Sequence, residues 1–335
     1  MAARAAPGEE KSMTGFDDTK PLAPDPPAEP SSDSQNSTDD LADKIVVGVP
    51  ETLPGSLGDP ISLPSDLPPP AAVPYRPDLP DDLRVPWGWL HFLVFFIFGI
   101  VSFVVTQIGA TLYLMSQSHN AQLTQKDLEH LAASKPIIPI TANVLLYALL
   151  ILFLYVSIPI LKNLPFWRTF GWRKLIPVAG MPSSPWVYFA GGIALSLCVA
   201  IVSSRIKTPE NLPIEELFKS RVGAFLLMGM AVLIAPLVEE TVFRGYLYPL
   251  FAKNLGVAPG VVITGVLFGL MHAPQLGWTW GLVAMLITVG IIFTLARARA
   301  GTVLASYLIH LGYNSMIAVT AILATHGFTR MPPHP

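Results

Sequence analysis

The chain has 335 residues, 52% of them hydrophobic and only 13% charged, with a formal net charge of −2. That balance excludes an ordinary soluble domain of this length, fits a polytopic membrane protein and gives no sign of a nucleic-acid partner. The small net charge hides a split: residues 1–85 hold 16 acids against six bases, and the remainder holds seven acids against 15 bases.

Residues 1–85 also contain 16 of the 33 prolines, interspersed with Ser, Asp and Gly. Such a segment buries too little apolar surface to offset ordering entropy, so it is expected to be a disordered, acidic tail, with a tail-binding partner of unknown identity as the alternative to plain solvation. Its start lacks the basic segment and apolar run of a secretory signal, so the sequon at Asn36 is expected to stay unmodified. The single cysteine, Cys198, excludes a disulfide framework and reads as a small buried apolar residue.

From Trp87 onward, apolar runs alternate with short polar connections, and residues 86–330 read as one transmembrane domain. A helix needs roughly 20 residues to cross a hydrocarbon core of about 30 Å. Seven runs reach or approach that length: 89–115, 139–161, 185–203, 223–251, 257–273, 278–296 and 302–324. The expected fold is an all-α polytopic helix bundle, because an open sheet in lipid leaves backbone groups unsatisfied. The fifth run is short, and its Gly256, Gly260, Gly265 and Gly269 predict close approach of neighbouring helices. Lys162, Arg168, Arg173 and Lys174, joined by Lys253, Arg297 and Arg299, favour a cytoplasmic side that also holds the tail.

Two carboxylates stand inside apolar sequence, and they are adjacent: Glu239 and Glu240. A charge at bilayer depth costs at least roughly 2.5 kcal/mol, so it calls for a partner or a task. Arg244, His272, His310 and Asn314 are the other polar groups of note in the last four runs, whereas His91, His119, His130, His326 and His334 fall at interfaces or in loops. On a helical wheel Glu240 and Arg244, four apart, can pair, while Glu239 lies about 140 degrees from Arg244 and stays free for chemistry. Asn314 sits one turn beyond His310, where its amide can orient a water, a substrate carbonyl or the histidine. Pro236 removes a helical hydrogen bond just before the pair.

One carboxylate and two histidines suit activation of water. Either Glu239, His272 and His310 hold a zinc ion with one position left for water, or Glu239 acts alone as general base. A tight zinc site calls for acceptors behind both imidazoles, and the sequence does not locate them, which tips the reading toward the general base. A purely structural polar network or an ion pathway are the alternatives.

Glu239-Glu240-Thr241-Val242-Phe243-Arg244 forms an EExxxR pattern, Phe268 to His272 an FxxxH pattern, and His310 to Asn314 an HxxxN pattern. In order and spacing these resemble the CAAX prenyl protease and bacteriocin-processing (CPBP, or Abi) family of intramembrane proteases, over about residues 185–325. The resemblance implies that Glu239 activates water, that Glu240 and Arg244 support it, and that His272, His310 and Asn314 complete the site, with metal-dependent and metal-free mechanisms both open. Relatives in eukaryotes remove the last three residues of prenylated CAAX proteins, and bacterial ones process bacteriocins or confer immunity. The expected partners are therefore the lipid bilayer and a membrane-associated peptide or protein, with Trp278, Trp280 and Phe293 as candidates to line a lipid groove. A bacterial inner-membrane protease is the expectation; a non-catalytic immunity or membrane-binding protein and a proton-coupled transporter are the alternatives.

Overall fold

A computed structural model of the chain describes residues 79–118, 124–178, 180–207 and 220–329. The bulk of the acidic tail, its sequon, His119 and His334 lie outside the described residues. Among those described, the protein is helical apart from one isolated bridge between Val178 and Met181.

Six helices are long and apolar enough to cross a membrane: α1 (Trp89–Ser116), α3 (Ile137–Ile160), α4 (Pro185–Ser203), α5 (Arg221–Leu255), α7 (Trp280–Ala300) and α8 (Val303–Ala324). The short apolar helix α6 (Val257–Met271) accounts for the fifth predicted run. One amphipathic helix was not among those runs, α2 (Gln125–Ser134), opened by Thr124 and Asp127 in a reciprocal cap. Local chemistry sets several ends. Ser220 Oγ accepts from Gly223 N at the start of α5, and Thr302 Oγ1 from Leu304 N at the start of α8. Gly256, with φ 100°, makes the abrupt turn from α5 into α6. Its role is therefore conformational, unlike the close packing expected of it.

Lipid tails are as apolar as leucine, so packing rather than water exclusion holds these helices together. Small residues make that packing possible. A methyl group on Gly265 or Gly269 would run into the backbone of Ile291 or Ile287 on α7, and one on Gly192 of α4 into the carbonyl of Ile309 on α8. The core gathers around α5, where Val238, Val242, Tyr246 and Leu250 meet Leu154 and Ile158 of α3, Phe268 of α6 and Phe293 of α7. By contrast α1 presents Leu93, Phe96, Ile100 and other large apolar side chains outward, as a lipid-facing helix should.

Wider helical turns interrupt α5 twice, at Met230–Ile234 and Thr241–Leu247, and α3 once, at Val156–Ile160. There the hydrogen bonds skip one residue further than in an α-helix, an arrangement frequent at functional sites.

Three sequence readings need correction. The ordered core starts a few residues before the tail boundary at about 85: Asp81–Leu83 form a helical turn, and Leu83, Val85 and Trp87 are buried. Cys198 is exposed on the surface of α4 and not a buried apolar residue. Arg297, read as a loop cation, is fully buried in the last turn of α7 and pairs with Asp82 at 2.6 Å.

Candidate active site

Helix α5 brings the adjacent glutamates into the centre of the bundle, and the two diverge there. Glu240 is fully buried and its Oε1 accepts from Arg244 Nη1 at 3.0 Å, the pairing that four-residue spacing predicts. The same oxygen takes a second hydrogen bond, from His310 Nδ1 of α8, also at 3.0 Å. Arg244 is fully occupied: its Nε donates to Thr294 Oγ1 and its Nη2 to the Gly290 carbonyl, both on α7, while its guanidinium lies 4.5 Å from the centre of the Phe268 ring. A buried guanidinium with each edge satisfied is a rigid support rather than a mobile acid.

Glu239 keeps some exposure, 14% of its side chain, and faces the other way. Its Oε1 accepts from the Tyr147 hydroxyl of α3 at 3.0 Å, and its Oε2 lies 3.9 Å from His310 Nε2. His310 therefore stands between both carboxylates. With its Nδ1 proton donated to Glu240, a neutral His310 presents the Nε2 lone pair toward Glu239, so two acceptors face one another beyond hydrogen-bond length. That is a place where one water can donate to both.

His272 caps the end of α6. At 15 residues this helix runs only about 22 Å, so it stops short of a full crossing; near its end Phe268 is buried while Leu270 and Met271 are exposed. His272 Nδ1 bonds the Phe268 carbonyl at 2.8 Å, which assigns it the proton and leaves Nε2 free. The Phe268 ring contacts both imidazoles, at 4.8 Å from His272 and 5.8 Å from His310. The two histidines thus share one aromatic spacer, and among the described residues His272 makes no hydrogen bond to the other motif residues. Phe293 is fully buried and stacks on His310 at 4.8 Å, so it shapes the site instead of lining a groove, while Trp278 and Trp280 are exposed.

Asn314 is positioned by Pro236. Within the wide turn at Met230–Ile234, Ala235 N donates to Met230 O, and Pro236 has no N–H to offer the next carbonyl, Ala231. Asn314 Nδ2 fills that place, donating to Ala231 O at 2.7 Å. Among the described residues Asn314 makes no other side-chain hydrogen bond.

Both imidazoles do have acceptors behind them, Phe268 O and Glu240 Oε1, so the absence of such partners no longer argues against a metal. The donors themselves do not converge, however: among the described residues no three His, Cys, Asp or Glu side chains are grouped to hold an ion.

Four contributors escaped the sequence reading. Tyr147 was one hydroxyl in a long apolar run, Thr294 and Gly290 carried no motif, and His91, assigned to an interface, bonds Tyr246 and Ser157 inside the bundle. A lone polar group in a membrane helix was the available signal for Tyr147.

Residues 221–316 match the protein family described as type II CAAX prenyl endopeptidase Rce1-like. The UPF0177 protein YbdI of Lactococcus lactis subsp. lactis (strain IL1403) is 27% identical over 180 residues, which are 54% of this chain and 94% of that protein. An uncharacterized 24.3 kDa protein of Escherichia coli is 29% identical over 147 residues, 42% of this chain and 66% of that protein. No solved structure matches the chain. The matched segment contains all seven motif residues, Phe268 included, and agrees with the family resemblance read from the sequence for this part of the chain.

Proposed function

We propose that the protein is an intramembrane endopeptidase that hydrolyses a peptide bond of a membrane-associated substrate of the prenylated CAAX type. One observation carries the reading: His310 stands between Glu240, which it bonds, and Glu239, which it faces at 3.9 Å. A water donating to Glu239 Oε2 and His310 Nε2 is held with its lone pair outward, toward a substrate carbonyl. Glu239 takes a proton as the water oxygen bonds the carbonyl carbon. Asn314 N–H, and His272 Nε2 when protonated, stabilise the oxyanion. As the tetrahedral species collapses, the C–N bond breaks and the proton held by Glu239 passes to the departing amine, so water is consumed and an acid and an amine are released.

Tyr147 keeps Glu239 in place, and Arg244 holds Glu240 ionised so that His310 is fixed by its Nδ1. No step needs a metal. The family match supports the peptidase class, and the bacterial sources of the two relatives support a bacterial membrane location; the Lys and Arg of the connections favour the cytoplasm for the tail.

The test uses the purified full chain and a farnesylated CAAX-type peptide with a fluorophore and quencher flanking the scissile bond. Glu239→Gln should lower turnover by about 10³-fold with the protein still inserted. Cleavage at the native rate by this variant would overturn the reading. Treatment with a strong chelator should leave turnover unchanged; a loss restored by zinc alone would transfer the chemistry to a metal.

A further inference from the structure

The family match begins at residue 221, yet the helix that carries Glu239 is gripped by a segment more than 130 residues earlier. Asp82 Oδ2 accepts from Arg297 Nη1, and Leu83 packs on Tyr248 and Ala252 of α5 and on Val261 of α6. Lys253 Nζ near the end of α5 donates to the carbonyls of Val85 and Trp87 at 2.9 and 3.4 Å. Trp87 Nε1 donates to Tyr246 O at 3.2 Å, its ring lies 5.3 Å from the Tyr246 ring, and His91 Nδ1 bonds the Tyr246 hydroxyl at 2.7 Å. Tyr246 lies in the wide turn Thr241–Leu247, which follows Glu240 directly and contains Arg244.

We propose that residues 81–91 form a positioning clamp for the site: they hold the wide turn Thr241–Leu247 in register and so set where Arg244, Glu240 and Glu239 stand. The argument is one of satisfaction. A wide turn is a strained alternative to a regular helix, and it persists where outside groups fix its side chains and carbonyls. Trp87 and His91 together hold Tyr246 at its carbonyl, its ring and its hydroxyl. Asp82 anchors the clamp, because it is the one hydrogen-bond partner of the buried Arg297 among the described residues, whose Nε and Nη2 have none. The clamp also continues from the acidic tail, so whatever binds or cuts the tail near residue 80 acts on the site helix. None of these residues touches substrate; they act through α5.

The catalytic part of this inference rests on the peptidase reading, and the experiment separates the two. Hydrogen exchange of the full chain in nanodiscs is followed at amides 241–247 for wild type, Trp87→Ala, Trp87→Phe, Asp82→Asn and Glu239→Gln. Trp87→Ala and Asp82→Asn should raise exchange there by at least about tenfold while α4 and α8 stay as protected as in wild type. Trp87→Phe, which keeps a ring and loses the N–H, should fall between, and exchanging the charges in Asp82→Arg with Arg297→Asp should restore protection. On the farnesylated CAAX-type peptide the clamp variants should lower kcat by about 10- to 100-fold with KM unchanged. Unchanged exchange at 241–247 overturns the clamp whatever the activity. Native turnover by Glu239→Gln overturns the peptidase reading and leaves the exchange result to decide the clamp by itself.

Discussion

Among the described residues two arginines are wholly buried, and they are held in opposite ways. Arg244 meets a carboxylate one turn away on its own helix, plus a hydroxyl, a carbonyl and an aromatic face, so each edge of the guanidinium is used. Arg297 meets a single carboxylate, Asp82, 215 positions away in sequence, and the more distant Tyr248 ring at 5.7 Å, and two of its nitrogens have no hydrogen-bond partner among the described residues. The first is a closed unit that α5 and α7 assemble between themselves. The second is an open one, completed by a segment outside the matched family domain. The difference separates a support built within the candidate site from a fastening.

The sharpest way to break that contrast is to remove the arginine from the closed unit. Arg244→Met leaves Glu240 charged, buried and without its arginine partner, and should cost about 3–5 kcal/mol of stability. The double variant Arg244→Met with Glu240→Gln removes the stranded charge and should regain most of that, yet remain inactive because His310 loses its anionic anchor. Thermal unfolding in detergent and turnover on the same samples check both. If the double variant recovers neither folding nor stability, the unit holds the fold by something other than charge compensation.

The open unit should respond less. Asp82 retains 14% exposure, so Asp82→Asn lets water reach the guanidinium and should cost roughly 1–3 kcal/mol, below the loss for Arg244→Met. Equal losses for the two variants would mean that Arg297 is as dependent on its partner as Glu240 is, and the contrast would fail.

Legibility follows the same division. The Glu240–Arg244 pair could be read from the sequence because both residues lie on one helix, where four-residue spacing fixes their proximity. The seven apolar runs were readable for the same reason, since hydropathy is local. Asp82–Arg297, the Trp87 contact with Tyr246 and the meeting of Tyr147 with Glu239 depend on how helices far apart in the chain are arranged, which no spacing encodes. The wide turn at Met230–Ile234 is an intermediate case: Pro236 announced a missing hydrogen bond, but only the fold could name Asn314 as its replacement donor.

Glu239, unlike Glu240, is held by one neutral hydroxyl. Tyr147→Phe removes that donor without changing the ring and should cost about 1 kcal/mol of stability, with turnover down by about tenfold as the carboxylate loses its orientation. Comparing kcat and KM on the fluorogenic peptide distinguishes orientation from substrate binding: a rise in KM with native kcat would place Tyr147 in the substrate path instead.

The smallest effect belongs to a carboxylate at the opposite extreme of burial. Asp127, fully exposed at the start of α2, accepts from Thr124 Oγ1 at 2.7 Å and from Thr124 N at 2.9 Å, and these bonds hold its carboxyl below the usual value, the hydroxyl contributing most. A carboxylate with a depressed pKa stabilises the folded state fully above its unfolded value, about 3.9, and that contribution disappears as pH falls through the lower folded value. Between pH 5 and 8 the cap is therefore constant. Below about pH 4 the first turn of α2 should open in wild type, whereas Asp127→Asn should show the same fraying at neutral pH and no further change on acidification. Hydrogen exchange at amides 127–129 measures it. Equal acid sensitivity in the variant would show that a different group controls the start of α2. Because solvent screens this carboxylate, the change should stay confined to that turn, whereas stranding Glu240 should be felt by the whole bundle.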